Sequence, residues 1–305
     1  MVFNLPEEPE ILLSDKSNRF LKFAKKFSPV FLTLSIFSAL SVSVALVCNF
    51  DEEIGHFSRG SVWFYLLCAL TVISAISSAV FAILSSKKIS LYKEPGEDLF
   101  SLFASVLCAL VSAAAFIFFL ISLPGYSVSK NLLQILSGLL LVFLAAGVFI
   151  SVFPKYKSSP ARAVLMLLGC VAVNLDMFAR YFDFTLPLNS PIRNLETIMQ
   201  ACALLFLLSE ARLTLGAKDA HNTAKFYIFT SAAASSLSIG IGIGEIIFKV
   251  SSPAAASGTM PIIRLALYAS IGILAYARLS GIGHIAGKYV PGEKNVSAND
   301  SAEEN

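Results

Sequence analysis

The sequence predicts an all-α integral membrane protein, an eight-transmembrane-helix bundle with both termini cytoplasmic. Of its 305 residues, 56% are hydrophobic and 14% are charged, whereas soluble domains average about 45–50% apolar and about 25% charged residues. Eight apolar stretches each reach the roughly 20 residues that a helix needs to cross a bilayer. This composition excludes a nucleic-acid-binding protein, a disordered chain and a disulfide scaffold. The expected surroundings are a lipid bilayer.

The apolar stretches define a transmembrane domain over residues 28–281. Each is predicted to be a helix, because lipid offers no hydrogen-bond partners to the backbone. The predicted spans lie near residues 28–50, 61–86, 99–123, 131–153, 161–184, 194–215, 224–250 and 261–281. Span six is the most polar of them, since it carries Glu196, Gln200 and Glu210. The runs are continuous, whereas strands of a membrane barrel alternate in segments of about ten residues.

Basic residues predict the orientation of the bundle. The segments on the side of the N-terminus hold most of the 23 lysine and arginine residues, and the segments on the other side hold fewer. Because cytoplasmic loops carry the excess of basic residues, both termini are expected in the cytoplasm. An even number of spans agrees with this. No organellar address is recognisable, so the expected location is a bacterial inner (cytoplasmic) membrane, that is, a plasma membrane.

The two ends of the chain lie outside the apolar spans. Residues 1–27 form a cytoplasmic segment in which apolar residues recur at helical spacing opposite several lysines: Phe20, Phe23, Ala24 and Phe27. This amphipathic stretch, residues 14–27, is interpreted as a basic flank that orients span one, with a lipid anchor or docking helix as the alternative. Residues 282–305 are polar and predicted to be a partly disordered cytoplasmic tail.

No motif for a metal, a cofactor or a catalytic centre is present in the sequence. The five cysteines fall in five different spans, and the three histidines are far apart, so no metal spacing occurs. The glycines of 240–244 lie inside an apolar helix rather than after a strand, which excludes a nucleotide loop. They permit close helix packing or, less favoured, a bend in span seven beside a ligand. An enzyme is therefore less expected than a non-enzyme.

Every deep ionisable residue is predicted to lie in spans five to eight. In span five, spacings of four and three residues place Asp176, Arg180 and Asp183 on one helical face. The next spans carry similar stripes: Glu196, Gln200, Ala203, Leu207 and Glu210 in span six; Ser231, Ser235, Ser238, Gly242 and Glu245 in span seven; Arg264, Tyr268 and Ala275 in span eight. Charged side chains in spans face the bundle interior or a water-filled cavity.

Depth along the spans places part of these stripes in one layer, in the outer third of the membrane. The layer comprises Asp176, Arg180, Glu196, Gln200, Glu245, Arg264 and Tyr268. We predict that it is an outward-facing site for a small polar solute or a cation. The acids would hold a cation or proton, and the arginines an anionic group.

A structural role is the alternative for the same layer. In that interpretation the ion pairs Asp176–Arg180 and Glu245–Arg264 fix the helix register. The sharpest structural expectation is a contact between Glu245 and Arg264, directly or through water, because spans seven and eight are joined by a short connection. Glu210 and Arg212, near the cytoplasmic end of span six, are predicted to be an ordinary basic and acidic flank.

Three functions remain open at this point. The favoured one is binding or transport of a small solute or ion, driven by an ion gradient if the protein transports. The second is a non-catalytic membrane sensor or an accessory subunit, with spans one to four as the interface with a membrane protein partner. The third is a lipid-headgroup-modifying enzyme, which normally needs a denser catalytic cluster.

A reporter fused at Gly292 tests the predicted topology. A reporter that is active only in the cytoplasm should be active there, because the basic residues place the tail inside. A fusion within residues 251–260, between spans seven and eight, should give the opposite result. External activity at Gly292 would contradict the orientation and move the polar layer to the cytoplasmic side.

Overall fold

The computed structural model describes residues 15–51, 56–57, 61–86, 99–126, 128–153, 156, 159–182, 190–215, 220–253 and 260–285. This part of the chain is almost entirely helical, with one two-residue strand pair, and it has eight helices long and apolar enough to cross a membrane. The predicted number of apolar helices is therefore confirmed. The side chains of residues 14–27, Asp183 and the tail from residue 286 lie outside the described residues.

The helical bounds follow the apolar stretches closely. The helices are Asp15–Asn49, Val62–Ser86, Leu99–Ser122, Val128–Ile150, Pro160–Tyr181, Pro191–Thr214, Ala220–Ala233, Ile239–Ser251 and Ile262–Ile285, with a 3-10 turn at Leu123–Gly125 and a π-helical segment at Ala234–Ser238. The first six helices are spans one to six, and the last is span eight. Span seven consists of Ala220–Ala233, the π-helical segment and Ile239–Ser251. After span one, Phe50–Asp51 pairs antiparallel with His56–Phe57.

Prolines mark the starts of the two spans that carry most of the polar layer. Pro160 and Pro191 occupy the first helical turn of spans five and six, where no backbone N–H is needed. At span five, the Ser159 side chain also accepts a hydrogen bond from the backbone N–H of Arg162, at 3.2 Å. These signals fix where each helix begins, and therefore the depth of every polar side chain along it.

Span seven forms the centre of the bundle. It packs against spans one, two, six and eight, while spans three to six follow one another around one side and span three closes on span eight. The most apolar part of span seven is 83% buried, compared with 28% for spans two and three. The polar stripes of spans five to eight therefore face other helices, and the exposed apolar side chains of spans two and three face outward as lipid-contacting residues would.

The bundle has a terminal side and a distal side. The terminal side holds the first described residue of span one and the last of span eight, where the odd-numbered spans begin. The distal side holds the connections after spans one, three, five and seven.

The glycines of span seven serve close helix packing. A Cβ on Gly240 would lie 2.5 Å from the Cβ of Ser38, and one on Gly244 would lie 2.6 Å from the Cβ of Val42, both in span one. Gly242 faces span eight, where a Cβ would lie 3.1 Å from the Leu265 carbonyl oxygen. All three glycines are in the regular helix Ile239–Ser251. Close packing, the favoured interpretation of this motif, is thus supported over a bend at the glycines.

The irregularity of span seven lies just before the glycines, in the π-helical segment Ala234–Ser238. Two serine hydroxyls there bond back to the helix: Ser235 and Ser236 both donate to the Ala232 carbonyl oxygen, at 2.8 and 3.0 Å. Such back-bonding competes with the backbone ladder and bends helices. The π-helical segment shifts the register between the two halves of span seven, which an ideal helical projection of the sequence cannot show.

Replacing Gly244 by alanine should lower the free energy of unfolding by about 1–3 kcal/mol, because the new methyl group overlaps Val42. Gly125→Ala is the matched control, since a Cβ at Gly125 meets no atom within 4 Å. Reversible denaturation of both purified variants in mild detergent measures the difference. Equal stability of the two would show that span one does not pack tightly on span seven.

Candidate functional site

Asp176 is the centre of the first group of polar contacts on the distal side. Its carboxylate forms an ion pair with Arg264 and accepts a hydrogen bond from the Tyr268 hydroxyl. Gln200 Nε2 donates to Asp176 Oδ2 at 3.0 Å and to the Tyr268 oxygen at 3.3 Å. Spans five, six and eight are thereby joined through one carboxylate, whose side chain is 7% exposed.

Arg180 and Glu196 form the second group. The guanidinium donates from Nε to Oε2 of Glu196 and from Nη2 to Oε1 at 3.1 Å, which is the bidentate geometry that suits an arginine and a carboxylate. Glu196 Oε1 also accepts the backbone N–H of Met260 at 2.8 Å. Glu196 has no exposed surface. This pair links span five to span six and to the residue before span eight.

The two ion pairs predicted from the sequence, Asp176–Arg180 and Glu245–Arg264, are wrong, because the arginines have other carboxylate partners. Arg180 pairs with Glu196 rather than with Asp176, and Arg264 pairs with Asp176 rather than with Glu245. The reason is the direction of span eight: Arg264 and Tyr268 share a face, and that face is turned towards span five. The expected direct contact between Glu245 and Arg264 is therefore not formed.

Glu245 lies in span seven beside Glu196, with the two carboxyl groups within hydrogen-bonding reach of each other. Glu245 has no exposed surface, and no donor among the described residues reaches either of its oxygens. Among the described residues, Arg180 and Lys249 are positive charges close enough to act on it. Lys249 Nζ donates to the Met260 carbonyl oxygen at 3.0 Å. Glu245 is thus a buried acid beside a second acid.

A cavity of about 110 Å³ lies next to these groups on the distal side. Three residues of the predicted site line it with partly exposed side chains: Asp176 at 7%, Arg180 at 12% and Arg264 at 14%. The rest of its wall is formed by Tyr126, Gln134, Ala179, Met260 and Pro261. The other four predicted residues, Glu196, Gln200, Glu245 and Tyr268, are buried behind the wall.

The structure therefore brings the predicted layer together but divides it into a cavity wall and a buried network. Lys249 and Met260 are additions that the sequence reasoning missed. Lys249 follows Glu245 by four residues, a spacing that places both on one helical face and could have been noticed. Met260 takes part through its backbone N–H and carbonyl oxygen, which every residue except proline has, so the sequence could not have indicated it.

A second polar cluster, on the terminal side, was not predicted. Glu210 Oε2 lies 3.2 Å from Arg162 Nη2, and Glu210 Oε1 lies 3.3 Å from Arg278 Nε. The Tyr227 hydroxyl donates to Glu210 Oε1 at 2.8 Å. Glu210 and both arginines are only 1% exposed, so the prediction that Glu210 belongs to an ordinary flank is wrong. Arg212, two residues further and on another face, is exposed.

Serine hydroxyls and a carbonyl group complete this terminal cluster. Arg278 donates to Ser101 at 2.7 Å, and to Ser105 and Ser151 at 3.3 Å each. Arg162 Nε donates to the Gly147 carbonyl oxygen at 3.3 Å. Side chains or backbone of spans three to eight thus meet around one carboxylate. The sequence does indicate that Glu210 is buried, because Glu210 lies on the same helical stripe as Glu196. Its two arginine partners could not be recognised, because in the sequence they resemble the basic residues that flank spans on the cytoplasmic side.

Glu210→Ala should lower the free energy of unfolding by about 3–5 kcal/mol, because it leaves two buried arginines without their carboxylate. Arg212→Ala, an exposed position in the same helical turn, should change it by less than about 0.5 kcal/mol. Denaturation of the purified variants compares the two. A Glu210→Ala protein as stable as Arg212→Ala would mean that the terminal cluster does not hold the six spans together.

Comparisons of this chain with models of known protein families, with curated proteins and with solved structures found no match. The function is therefore argued from the geometry of the two polar clusters and of the cavity.

Proposed function

We propose that this protein binds and transports a small polar solute that carries an anionic group, and that the distal cavity among spans five to eight is its binding site. The observation that carries the proposal is the cavity wall, in which two guanidinium groups and one carboxylate face the same space of about 110 Å³. These three charged groups border one space, so this is where a polar molecule would be recognised.

The exposure of the arginines supports a binding role over a purely structural one. A charged side chain at the centre of a span costs at least about 2.5–3.5 kcal/mol, so such residues pair with one another inside the bundle or face a water-filled cavity. The terminal cluster shows the first of these arrangements, with arginine side chains 1–2% exposed. Arg180 and Arg264 also have carboxylate partners, yet 12% and 14% of their side-chain surface remains exposed beside the cavity.

The size and chemistry of the cavity define the class of ligand. Its volume of about 110 Å³ is below the roughly 300–1,000 Å³ of pockets for drug-sized ligands. Guanidinium groups bind carboxylates and phosphates through two parallel N–H donors. Asp176 adds an acceptor on the same wall. A small carboxylate, a zwitterion or a phosphate fits this set of groups.

The arrangement of the two clusters supports transport. Glu196 and Glu210 lie fourteen residues apart on span six, which corresponds to about 21 Å along the helix. Buried apolar side chains such as Phe206 and Leu207 fill the distance between them. The cavity lies on the distal side, while the ion pairs of the terminal cluster are enclosed, with Arg162, Glu210 and Arg278 each 1% exposed. Alternating access needs one accessible and one closed side, and a rearrangement of these ion pairs would exchange them.

We further infer the orientation from the basic residues. Both termini would be cytoplasmic, and the cavity would face the exterior of a plasma membrane, most simply the inner membrane of a bacterium. The protein would then take up a solute from outside the cell, with an ion gradient as the source of energy.

Binding can be tested by thermal unfolding of the purified protein with inorganic phosphate, small mono- and dicarboxylates, amino acids and, as a cationic comparison, choline. At least one anionic or zwitterionic compound should raise the Tm saturably. Arg264→Gln should weaken its binding by about tenfold or more, because one charged contact is lost. This variant should fold, since Tyr268 and Gln200 still donate to Asp176.

Arg212→Gln is the matched control for this experiment, because it removes an exposed arginine remote from the cavity. Failure of every compound to raise the Tm, or equal binding by the two variants, would overturn the proposed site. Reconstituted vesicles then test movement of the compound that binds. Saturable binding without uptake would overturn transport and favour a membrane sensor that uses the same cavity.

A further inference from the structure

We propose that Glu245 and Glu196 together bind one positive charge, a proton or a sodium ion, and that the backbone of Met260 connects this acid pair to the distal cavity. The inference rests on the proposed function in one respect, since it assigns this charge as the coupling ion for the solute in that cavity. It is carried by the contacts of Glu245, Glu196, Lys249 and Met260.

Glu245 is the unsatisfied member of this acid pair. Glu245 has no exposed surface and no hydrogen-bond donor within reach among the described residues, and its carboxyl group lies beside that of Glu196. A buried carboxylate without donors is costly, and two carboxylates facing each other repel. One proton or one monovalent cation between them removes both costs, because it supplies a donor or a positive charge to Glu245 and ends the repulsion.

The groups that surround Glu245 leave this role open. Glu196 faces it from span six, Arg180 acts on it from span five and Lys249 from span seven itself. Arg180 is engaged in the bidentate pair with Glu196. Span one, which packs against the glycines before Glu245, contributes uncharged residues there, such as Val42. Neither positive charge donates a hydrogen bond to the Glu245 carboxylate, since Arg180 binds Glu196 and Lys249 binds the Met260 carbonyl oxygen. They therefore do not replace a cation bound there.

The composition of the site favours a single charge over a divalent metal ion. Among the described residues, no group of three or more His, Cys, Asp or Glu side chains converges in a way that could hold a metal. Asp176, the third acid of the layer, already forms an ion pair with Arg264 and accepts hydrogen bonds from Tyr268 and Gln200. Two carboxyl groups in a dry site suit a shared proton or a sodium ion.

Met260 provides the connection to the cavity. Its N–H donates to Glu196 at 2.8 Å, and its carbonyl oxygen accepts from Lys249 at 3.0 Å. Met260 and Pro261 line the cavity, and they lead into span eight with Arg264. Loss of the cation would leave a negative charge on Glu245, which attracts Lys249 away from Met260. One of the two tethers of this cavity wall would then be released.

The test uses the full-length protein in nanodiscs without any solute, and it compares the wild type with Glu245→Gln. If a proton is bound, the folded state holds one that the unfolded state releases, so stability falls as the pH rises. The Tm should then fall by about 3–6 °C per pH unit. If sodium is bound, NaCl should raise the Tm saturably at fixed pH and choline chloride should not. These two arms distinguish the ions.

Glu245→Gln should lose whichever response the wild type shows. Its amide can donate to Glu196 in place of the cation, so the variant should fold and be at least as stable as the wild type at neutral pH. Glu210→Gln is the matched control: it changes a buried glutamate of the terminal cluster, which has two arginine partners. It should lose stability at every pH and retain the wild-type response.

Two results would overturn the inference: a wild type whose Tm responds neither to pH nor to sodium, or a Glu245→Gln variant that responds as the wild type does. This outcome is separable from failure of the proposed function. Binding of a carboxylate or phosphate probe that depends on Arg264, without a cation response, would leave the solute site intact and exclude the acid pair. A cation response without binding of any probe would do the reverse.

Discussion

The fold depends on one constraint: a charge placed inside a bundle of membrane-length apolar helices must find its partner on another helix. Asp176 reaches Arg264 and Tyr268 in span eight, Glu196 reaches Arg180 in span five, and Glu210 is shared by spans five, seven and eight. Since these pairs are directional and apolar packing is not, they specify which helices are neighbours and at what depth. The close packing of span seven on span one, through its glycines, then fills the centre of the bundle.

This constraint is met differently on the two sides. On the terminal side two arginines share one carboxylate, and hydroxyl and carbonyl groups complete the arginines' contacts. That cluster is charged but enclosed, and nothing about it requires a ligand. On the distal side an acid lies beside an acid, and two guanidinium groups border a cavity. The distal side is where the protein alone does not satisfy its own charges, which is the physical reason for placing a ligand there.

Sequence reasoning predicted the spans and the polar layer because both depend on the sequence spacing within one helix. Asp176 and Arg180, or Arg264 and Tyr268, share a face at any register. It failed on the pairing partners, because a helical projection does not state which neighbour a face meets: Arg264 is turned to span five and not to span seven. It missed the terminal cluster for another reason, since Arg162 and Arg278 have the appearance of positive-inside flanks. The π-helical segment of span seven breaks the periodicity on which any projection depends.

Lys249 is the reason why the distal network can rearrange when a ligand binds, whereas the terminal cluster keeps its contacts. Arg162, Glu210 and Arg278 are each 1% exposed, so none of them can exchange a protein partner for water without opening the bundle. Lys249 is half-buried, and a long lysine side chain can move its ammonium group along an apolar surface while it remains near water. Lys249 interacts electrostatically with Glu245 and donates a hydrogen bond to the Met260 carbonyl oxygen. A change of charge at Glu245 therefore acts on the ammonium group of Lys249, which can move. Because Lys249 is bonded to the Met260 backbone, this movement acts directly on the wall of the cavity.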